Sequence, residues 1–201
     1  PLIGSRWLNQ KGLHVARLKL AHAMAWPRRE GLAHLISRED KAAFDRDGYV
    51  IKRDFLPPDL FAAMREGLTR WRGPVREMLQ GDAVTRRIAL NPALLAAVPE
   101  LRRVLADPGW RGLTRYVSSY DIEPVTYVQT ILSHQGEGRQ ADPQLVFHAD
   151  SFQPSMKAWL FLEDVEPEEG PFAYVPGSHL LTPERIEWER RKSLDARDAD
   201  R

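Results

Sequence analysis

The stretch "QLVFHADSFQPSMKAWLF", residues 144–161, places a histidine and an aspartate inside a segment that otherwise has the composition of β-sheet. In an extended strand, residues i and i+2 point to the same side, so His148 and Asp150 would present an imidazole and a carboxylate next to each other. One nitrogen and one oxygen ligand at this spacing suit a divalent metal such as iron(II). The pair alone is a weak signal, because a histidine beside an aspartate can also form a hydrogen-bonded pair that orients a loop.

Composition and charge exclude several classes of function. The 201 residues include no cysteine, and 29 basic residues against 28 acidic ones give a net charge of +1. Disulfides, thiolate catalysis and cysteine-ligated zinc are therefore excluded, and no global field attracts nucleic acid. The longest near-apolar stretch, residues 13–26, is too short to span a bilayer and lacks the cleavage signal of a secretory peptide. We expect a soluble cytoplasmic protein whose partner is a small-molecule substrate and not a nucleic acid.

Residues 1–36 form a basic N-terminal helical extension. Within them, "GLHVARLKLAHAMAW" (12–26) predicts a helix. Its apolar residues at helical spacing are Leu13, Ala16, Leu20 and Met24. This helix can lie on a membrane surface, pack on its own domain, or pack on a partner subunit. A single short basic helix anchors only weakly, so we do not predict membrane binding, and oligomerisation through the helix stays open.

Local signals predict the next elements. Ser37 and Asp40 form an S-x-x-D start signal, and Gly48 ends the helix that follows. Residues 49–55, "YVIKRDF", alternate and are rich in β-formers, which predicts a short strand. A second helix is predicted over residues 58–71, because Pro58 suits a first helical turn.

The second half of the chain changes from helical to sheet-like patterns. Short helices are predicted between residues 91 and 120, outside the main sheet. Strands are predicted at residues 124–134, 144–150, 156–165 and 171–175, followed by a tight turn at 176–179 and a helix from Pro183. Helices first and short strands later indicate an α+β protein with an antiparallel sandwich or barrel.

Three segments together resemble the phytanoyl-CoA dioxygenase family of iron(II)- and 2-oxoglutarate-dependent oxygenases. "FHAD" (147–150) matches the H-x-D metal motif of that family. "KAWLFLEDVEPEEGPFAYVPGSH" (157–179) matches its next segment, a strand with a central tryptophan, an acidic turn, and a short strand ending in P-G-S-H. "FDRDGYVIKRDFLPPDL" (44–60) resembles its N-terminal opening. The resemblance covers roughly residues 40–185, and the joint pattern is far more specific than any single piece.

The resemblance implies a fold and a set of site residues. The fold would be a double-stranded β-helix (jelly roll, cupin-like) over residues 37–201, with N-terminal and flanking helices. His148 and Asp150 would be the first two ligands of iron(II), with 2-oxoglutarate as cosubstrate and no catalytic side chain beyond the metal ligands. Trp159 would line the cosubstrate pocket, or else be a core tryptophan. Gln129, on the preceding strand, would contact the cosubstrate.

The family's distal histidine lies on a later strand, beyond the P-G-S-H turn, and a basic residue follows it to pair with 2-oxoglutarate. In this sequence no histidine follows His179. We expect His179 to satisfy local backbone groups in its turn and not to bind metal. His134 can line the mouth of the pocket or be merely exposed. The domain is therefore expected to be incomplete at its C-terminus, with the third ligand beyond Arg201.

The expected function is that of an iron(II)- and 2-oxoglutarate-dependent dioxygenase that hydroxylates a small organic or acyl substrate. The alternative is a catalytically incomplete relative, a jelly-roll module that binds a ligand or a partner without turnover. A later histidine followed by an arginine or lysine would favour the enzyme. No motif identifies the substrate.

Overall fold

The computed structural model describes residues 4–132 and 143–195. Its α-helices are α1 (Arg6–Gln10), α2 (Leu13–Gly31), α3 (Arg38–Asp47), α4 (Pro58–Arg70), α5 (Pro92–Ala97), α6 (Glu100–Ala106), α7 (Pro108–Ser118) and α8 (Pro183–Asp195). Its strands are β1 (Arg76–Gln80), β2 (Ala83–Ala89) and β3 (Tyr127–Leu132). Short 3-10 turns lie at Ala33–Leu35, Pro143–Leu145 and Pro167–Glu169. The protein is therefore α+β, as predicted.

The predicted helix boundaries are confirmed where a cap lies within a few residues of the helix. The Asp40 N–H donates to Ser37 Oγ at 3.0 Å and begins α3, and Gly48 ends it at φ +83°. α4 begins with Pro58 in its first turn. The side chain of Asn91 accepts the backbone N–H three residues ahead and begins α5 in the same way.

The three strands form one small antiparallel sheet in the order β1-β2-β3. The β1–β2 hairpin closes through the two residues Gly81 and Asp82, since Gln80 pairs with Ala83. Gly81 has φ +58°, a conformation that glycine adopts without steric cost. This hairpin has no counterpart among the sequence-based expectations, although a Gly-Asp pair between alternating segments is a hairpin signal.

The main core lies between α4, α5, α6 and the inner face of the sheet. The buried side chains that share this cluster are Leu56, Leu60, Met64, Leu94, Val98, Leu101 and Val104. Ile88 and Val128, paired across β2 and β3, pack against the cluster. Leu160 and Leu162 reach it from the second half of the chain. The sheet is thus covered by helices on one face.

Helix α2 packs on α7 and α8, with Leu18, Ala25 and Arg29 buried. Leu20 and Met24, two of the apolar residues at helical spacing, are exposed and lie away from these contacts. The predicted helix forms and packs on its own domain through another part of its surface. Among the described residues, no helix is long and apolar enough to cross a membrane.

The strand predicted at residues 49–55 does not form. The chain turns at Arg53 and Asp54, where Asp54 has a left-handed backbone (φ +50°), and Ile51 is exposed. β-propensity alone does not make a strand when the segment bends and has no neighbouring strand to pair with.

The strands predicted at residues 144–150, 156–165 and 171–175 are irregular in the structure. A strand needs a hydrogen-bonded neighbour, and these segments pair with no strand in the described part of the chain. Their apolar side chains are accordingly exposed, Val146, Phe161 and Val175 among them. Only β3, inside the predicted 124–134 segment, forms. The described fold is a three-stranded sheet with helices, without the further strands of a double-stranded β-helix.

Candidate active site

His148 and Asp150 lie in an irregular segment just after the Pro143–Leu145 turn. His148 Nε2 is 3.5 Å from Asp150 Oδ1, and both side chains are 41% exposed. His148 Nδ1 is 2.7 Å from the carbonyl oxygen of Val146. A carbonyl oxygen can only accept, so Nδ1 carries the hydrogen and Nε2 faces the carboxylate. The segment therefore brings the two groups together without forming the strand on which the prediction rested.

The electrostatics of the pair follow from this tautomer. In the neutral imidazole, Nε2 is an acceptor, so two acceptors face each other at 3.5 Å. A cation between them would accept a lone pair from each group. Lys157 supplies a positive charge beside the carboxylate, because its Nζ is 2.7 Å from Asp150 Oδ2. No sequence motif marks Lys157 as a neighbour of the pair.

His148 and Asp150 offer one nitrogen and one oxygen donor, whereas a 2-His-1-carboxylate iron(II) site has three protein ligands. A tautomer fixed by a backbone carbonyl is the usual support for a metal-binding histidine. Within residues 4–132 and 143–195, however, no group of three His, Cys, Asp or Glu side chains could hold a metal ion. The arrangement offers a cation one nitrogen and one oxygen, and no third His, Cys, Asp or Glu side chain of the described residues joins them.

Gln129 lies on β3 and pairs with Arg87 of β2. Arg87 Nε donates to Gln129 Oε1 at 2.9 Å, and the guanidinium lies 4.8 Å from the ring centre of Tyr127. Arg76 of β1 is the cross-strand partner of Arg87, so two arginines and one amide form a row across the sheet. Two like charges side by side are unfavourable unless an anion or another acceptor separates them.

Trp159 is 44% exposed, and its ring packs against that of Phe172 with the centres 4.3 Å apart and the planes tilted by 37°. The alternative interpretation of Trp159 as a core tryptophan does not hold, because its neighbours Leu160 and Leu162 face the core instead. Trp159 and Phe161 lie exposed. The two rings form a small aromatic surface on the segment that follows the H-x-D pair.

His179 was expected to bond to backbone groups of its own turn, but its ring packs on an aromatic side chain of α3. Its ring packs on Phe44 at 5.2 Å between centres, and neither ring nitrogen has a hydrogen-bond partner among the described residues. Burial lowers the pKa of the His179 imidazole below its usual value. The expectation that His179 satisfies local backbone groups is therefore wrong. The turn is held instead by the Gly177 N–H, which donates to the Asp47 carbonyl at 2.8 Å.

His134, expected at the mouth of the pocket or merely exposed, lies outside the described residues. Arg76 and Arg87 were not predicted, and neither was their hairpin, although its Gly-Asp turn is a hairpin signal.

Comparison with known proteins defines the class of this chain. The family model described as Phytanoyl-CoA dioxygenase (PhyH) matches residues 44–200. This chain therefore belongs to the phytanoyl-CoA dioxygenase family, as the resemblance predicted. No curated protein and no solved structure matches it.

Proposed function

We propose that this chain supplies the first two iron ligands of an iron(II)- and 2-oxoglutarate-dependent dioxygenase that hydroxylates a small organic or acyl substrate. The supporting observation is that His148 Nε2 and Asp150 Oδ1 converge to 3.5 Å within the family's H-x-D motif. Bound iron(II) would supply the activation of dioxygen that a side chain cannot perform. The third ligand comes from outside the described residues.

The residues around the pair have separable tasks in this proposal. The Val146 carbonyl holds the His148 tautomer that leaves Nε2 free for a metal. Lys157 holds the second oxygen of Asp150, so that only Oδ1 turns toward the histidine. Loss of Lys157 would leave the carboxylate free to rotate.

Gln129 and Trp159 are the proposed cosubstrate residues. Arg87 joins them, since it donates to Gln129 and carries the positive charge that a dicarboxylate such as 2-oxoglutarate requires. The exposed rings of Trp159 and Phe172 would form an apolar wall. In the active form, residues 156–165 and 171–175 would pair as strands of a jelly roll, which would cover their exposed apolar side chains.

The test is Asp150→Ala in a preparation that forms succinate from 2-oxoglutarate. We expect succinate formation to fall to the level of a blank without protein, because the variant keeps one ligand of the pair. His34→Ala is the matched control, since His34 is exposed and bonds only locally, to the Gly31 carbonyl at 3.0 Å. Undiminished succinate formation by Asp150→Ala would contradict the proposal.

A binding module without turnover is the second candidate. It is favoured by the absence of a third ligand among residues 4–132 and 143–195. For this candidate, 2-oxoglutarate or a substrate analogue would bind, while succinate would not form in any preparation that contains iron(II) and oxygen.

A further inference from the structure

We propose a second small-molecule site in a groove between α5, α6, α7 and the segment that leads into β3, with a monocarboxylate that carries an apolar body as its ligand class. The groove has a volume of about 500 Å³. Its apolar lining includes Leu90, Leu95, Leu105 and Pro124. Clefts of roughly 300–1,000 Å³ with mainly apolar walls are typical of small-molecule sites.

Two arginines line the same groove. Arg102 Nε donates to the Leu95 carbonyl at 3.3 Å, and no carboxylate of the described chain pairs with its guanidinium. Arg111 Nη2 lies 3.2 Å from Glu123 Oε1, an oxygen that Arg115 contacts more closely, at 2.6 Å. The lining therefore has two guanidinium groups and one shared carboxylate, which leaves a positive charge at an apolar wall.

The groove opens on the other side of the sheet from Gln129. Ala89 and Tyr127 are the last registered pair of β2 and β3, and Leu90 and Thr126 continue these strands in the groove lining. By strand alternation they share the side of Ile88 and Val128, which pack on the core. Arg87 and Gln129 lie on the opposite side. The groove is thus separate from the proposed cosubstrate residues, and its ligand does not depend on iron.

The charges define the ligand more closely than the apolar walls do. A carboxylate pairs with a guanidinium through two parallel hydrogen bonds, and Arg102 has this capacity free. A hydrocarbon body along the leucines gains free energy by leaving water. Glu123 penalises a second negative charge in the same groove, which favours a monocarboxylate over a dicarboxylate or a phosphate monoester.

The experiment is isothermal titration calorimetry of the full chain with octanoate, in the absence of iron and 2-oxoglutarate. We expect octanoate to bind, and both 1-octanol and acetate to bind at least about tenfold more weakly. 1-Octanol lacks the carboxylate that pairs with arginine, and acetate lacks the hydrocarbon body that contacts the leucines. No heat from octanoate at millimolar concentration, or equal affinity for 1-octanol, would overturn the proposal. Because no iron is present, neither result bears on the oxygenase.

The location is tested with Arg102→Gln. Loss of this exposed cation should weaken octanoate binding about fivefold, the effect of one partly solvated ion pair. Arg103→Gln is the matched control, because Arg103 is the next residue of α6, is also exposed, and does not line the groove. Circular dichroism confirms that both variants fold. Equal effects of the two variants, or none from Arg102→Gln, would place the octanoate elsewhere and refute the site.

Discussion

Gly48 is the point where the end of α3 meets the P-G-S-H turn. Its backbone is left-handed (φ +83°), and a β-carbon placed on it would lie 2.5 Å from His179 Nδ1 and 2.6 Å from the Tyr174 hydroxyl. No real β-carbon tolerates both contacts, so a ring or the turn would have to move. Gly48 thus has two reasons to be glycine, one in its own backbone and one in the packing above it.

Gly48→Ala should lower the free energy of unfolding by about 3 kcal/mol, the sum of a left-handed backbone cost and an overpacking cost. Gly170→Ala is the control, because Gly170 also has a positive φ (+75°) but nothing within 4 Å of a β-carbon. It should cost only about 1 kcal/mol. Urea unfolding measures both, and equal losses would show that the contact with His179 contributes nothing.

The sequence allows one of the two reasons to be predicted. That Gly48 stops a helix follows from the residue type and its place after α3. That a histidine lies above it depends on the return of the chain at Gly177, whose N–H reaches Asp47. No local pattern carries that information.

At the scale of elements, Arg29 joins α2 to the end of α7. Its guanidinium is buried and donates to the carbonyls of Tyr116, at 3.1 Å, and Val117, at 3.0 Å. It also lies over the rings of Trp26 and Phe44. The Tyr116 carbonyl also accepts the Ser119 N–H at 3.1 Å, so Arg29 adds a second donor there and supplies the donor of the Val117 carbonyl. A cation at the C-terminus of a helix also complements the helix dipole.

Arg29→Met should cost about 2 kcal/mol of unfolding free energy, because the Val117 carbonyl loses its donor and the Tyr116 carbonyl loses one of two, while the apolar stem is kept. Lys19→Met, an exposed cation of the same helix, should change the free energy by less than about 0.5 kcal/mol. Thermal and urea unfolding of both variants measure the difference. If the two variants were equally stable, the α2–α7 connection would rest on its apolar contacts alone.

Helices and strands differed in how well the sequence predicted them. α3, α4, α5 and α8 have start signals within four residues of their first turn, so that their boundaries follow from local chemistry. The strands expected from residue 144 onward need neighbouring strands to pair with, and the local sequence does not show which segments those would be. The burial of Arg29 could not be predicted for a similar reason, because its partners lie on α7.

At the scale of the whole molecule, two histidines make the assembly of helices sensitive to pH. Burial lowers the pKa of His22, and the charges of Arg185 and Arg29 add to this effect, while Glu189 opposes it. Burial also lowers the pKa of His179, with Asp45 and Asp47 opposing. The folded state therefore favours the neutral form of both rings.

Stability should fall as the pH is lowered from about 7.5 to about 5.5, because the unfolded histidines take up protons near pH 6.5 and the folded ones only below it. The contribution is fully present above the unfolded pKa and is lost as the pH falls toward the folded values. His22→Gln and His179→Gln should each flatten this slope in urea unfolding. A slope that persists in both variants would assign it to other groups.

The sequence marks only part of the candidate site. A motif marks the His148–Asp150 pair and a family pattern marks Gln129, and their roles as ligands and cosubstrate contact stay predictions. Lys157 and Arg87 are not marked in this way, since each enters through a contact, with Asp150 in one case and with Gln129 in the other. A side chain that binds a metal often belongs to a sequence motif. The residues that hold that side chain in place reach it through the fold, so no local motif marks them.

The contact between the first and the last described helices has a consequence for biosynthesis. Asn9 of α1 is buried, and its side-chain amide donates to the carbonyl of Ser193 in α8, 184 residues later. At about 5–20 residues per second, a ribosome needs roughly ten to forty seconds to translate that interval. Throughout that interval α1 has no α8 to dock on. A short nascent helix without its partner is only marginally stable in water, so α1 completes its folding late, after α8 has left the exit tunnel.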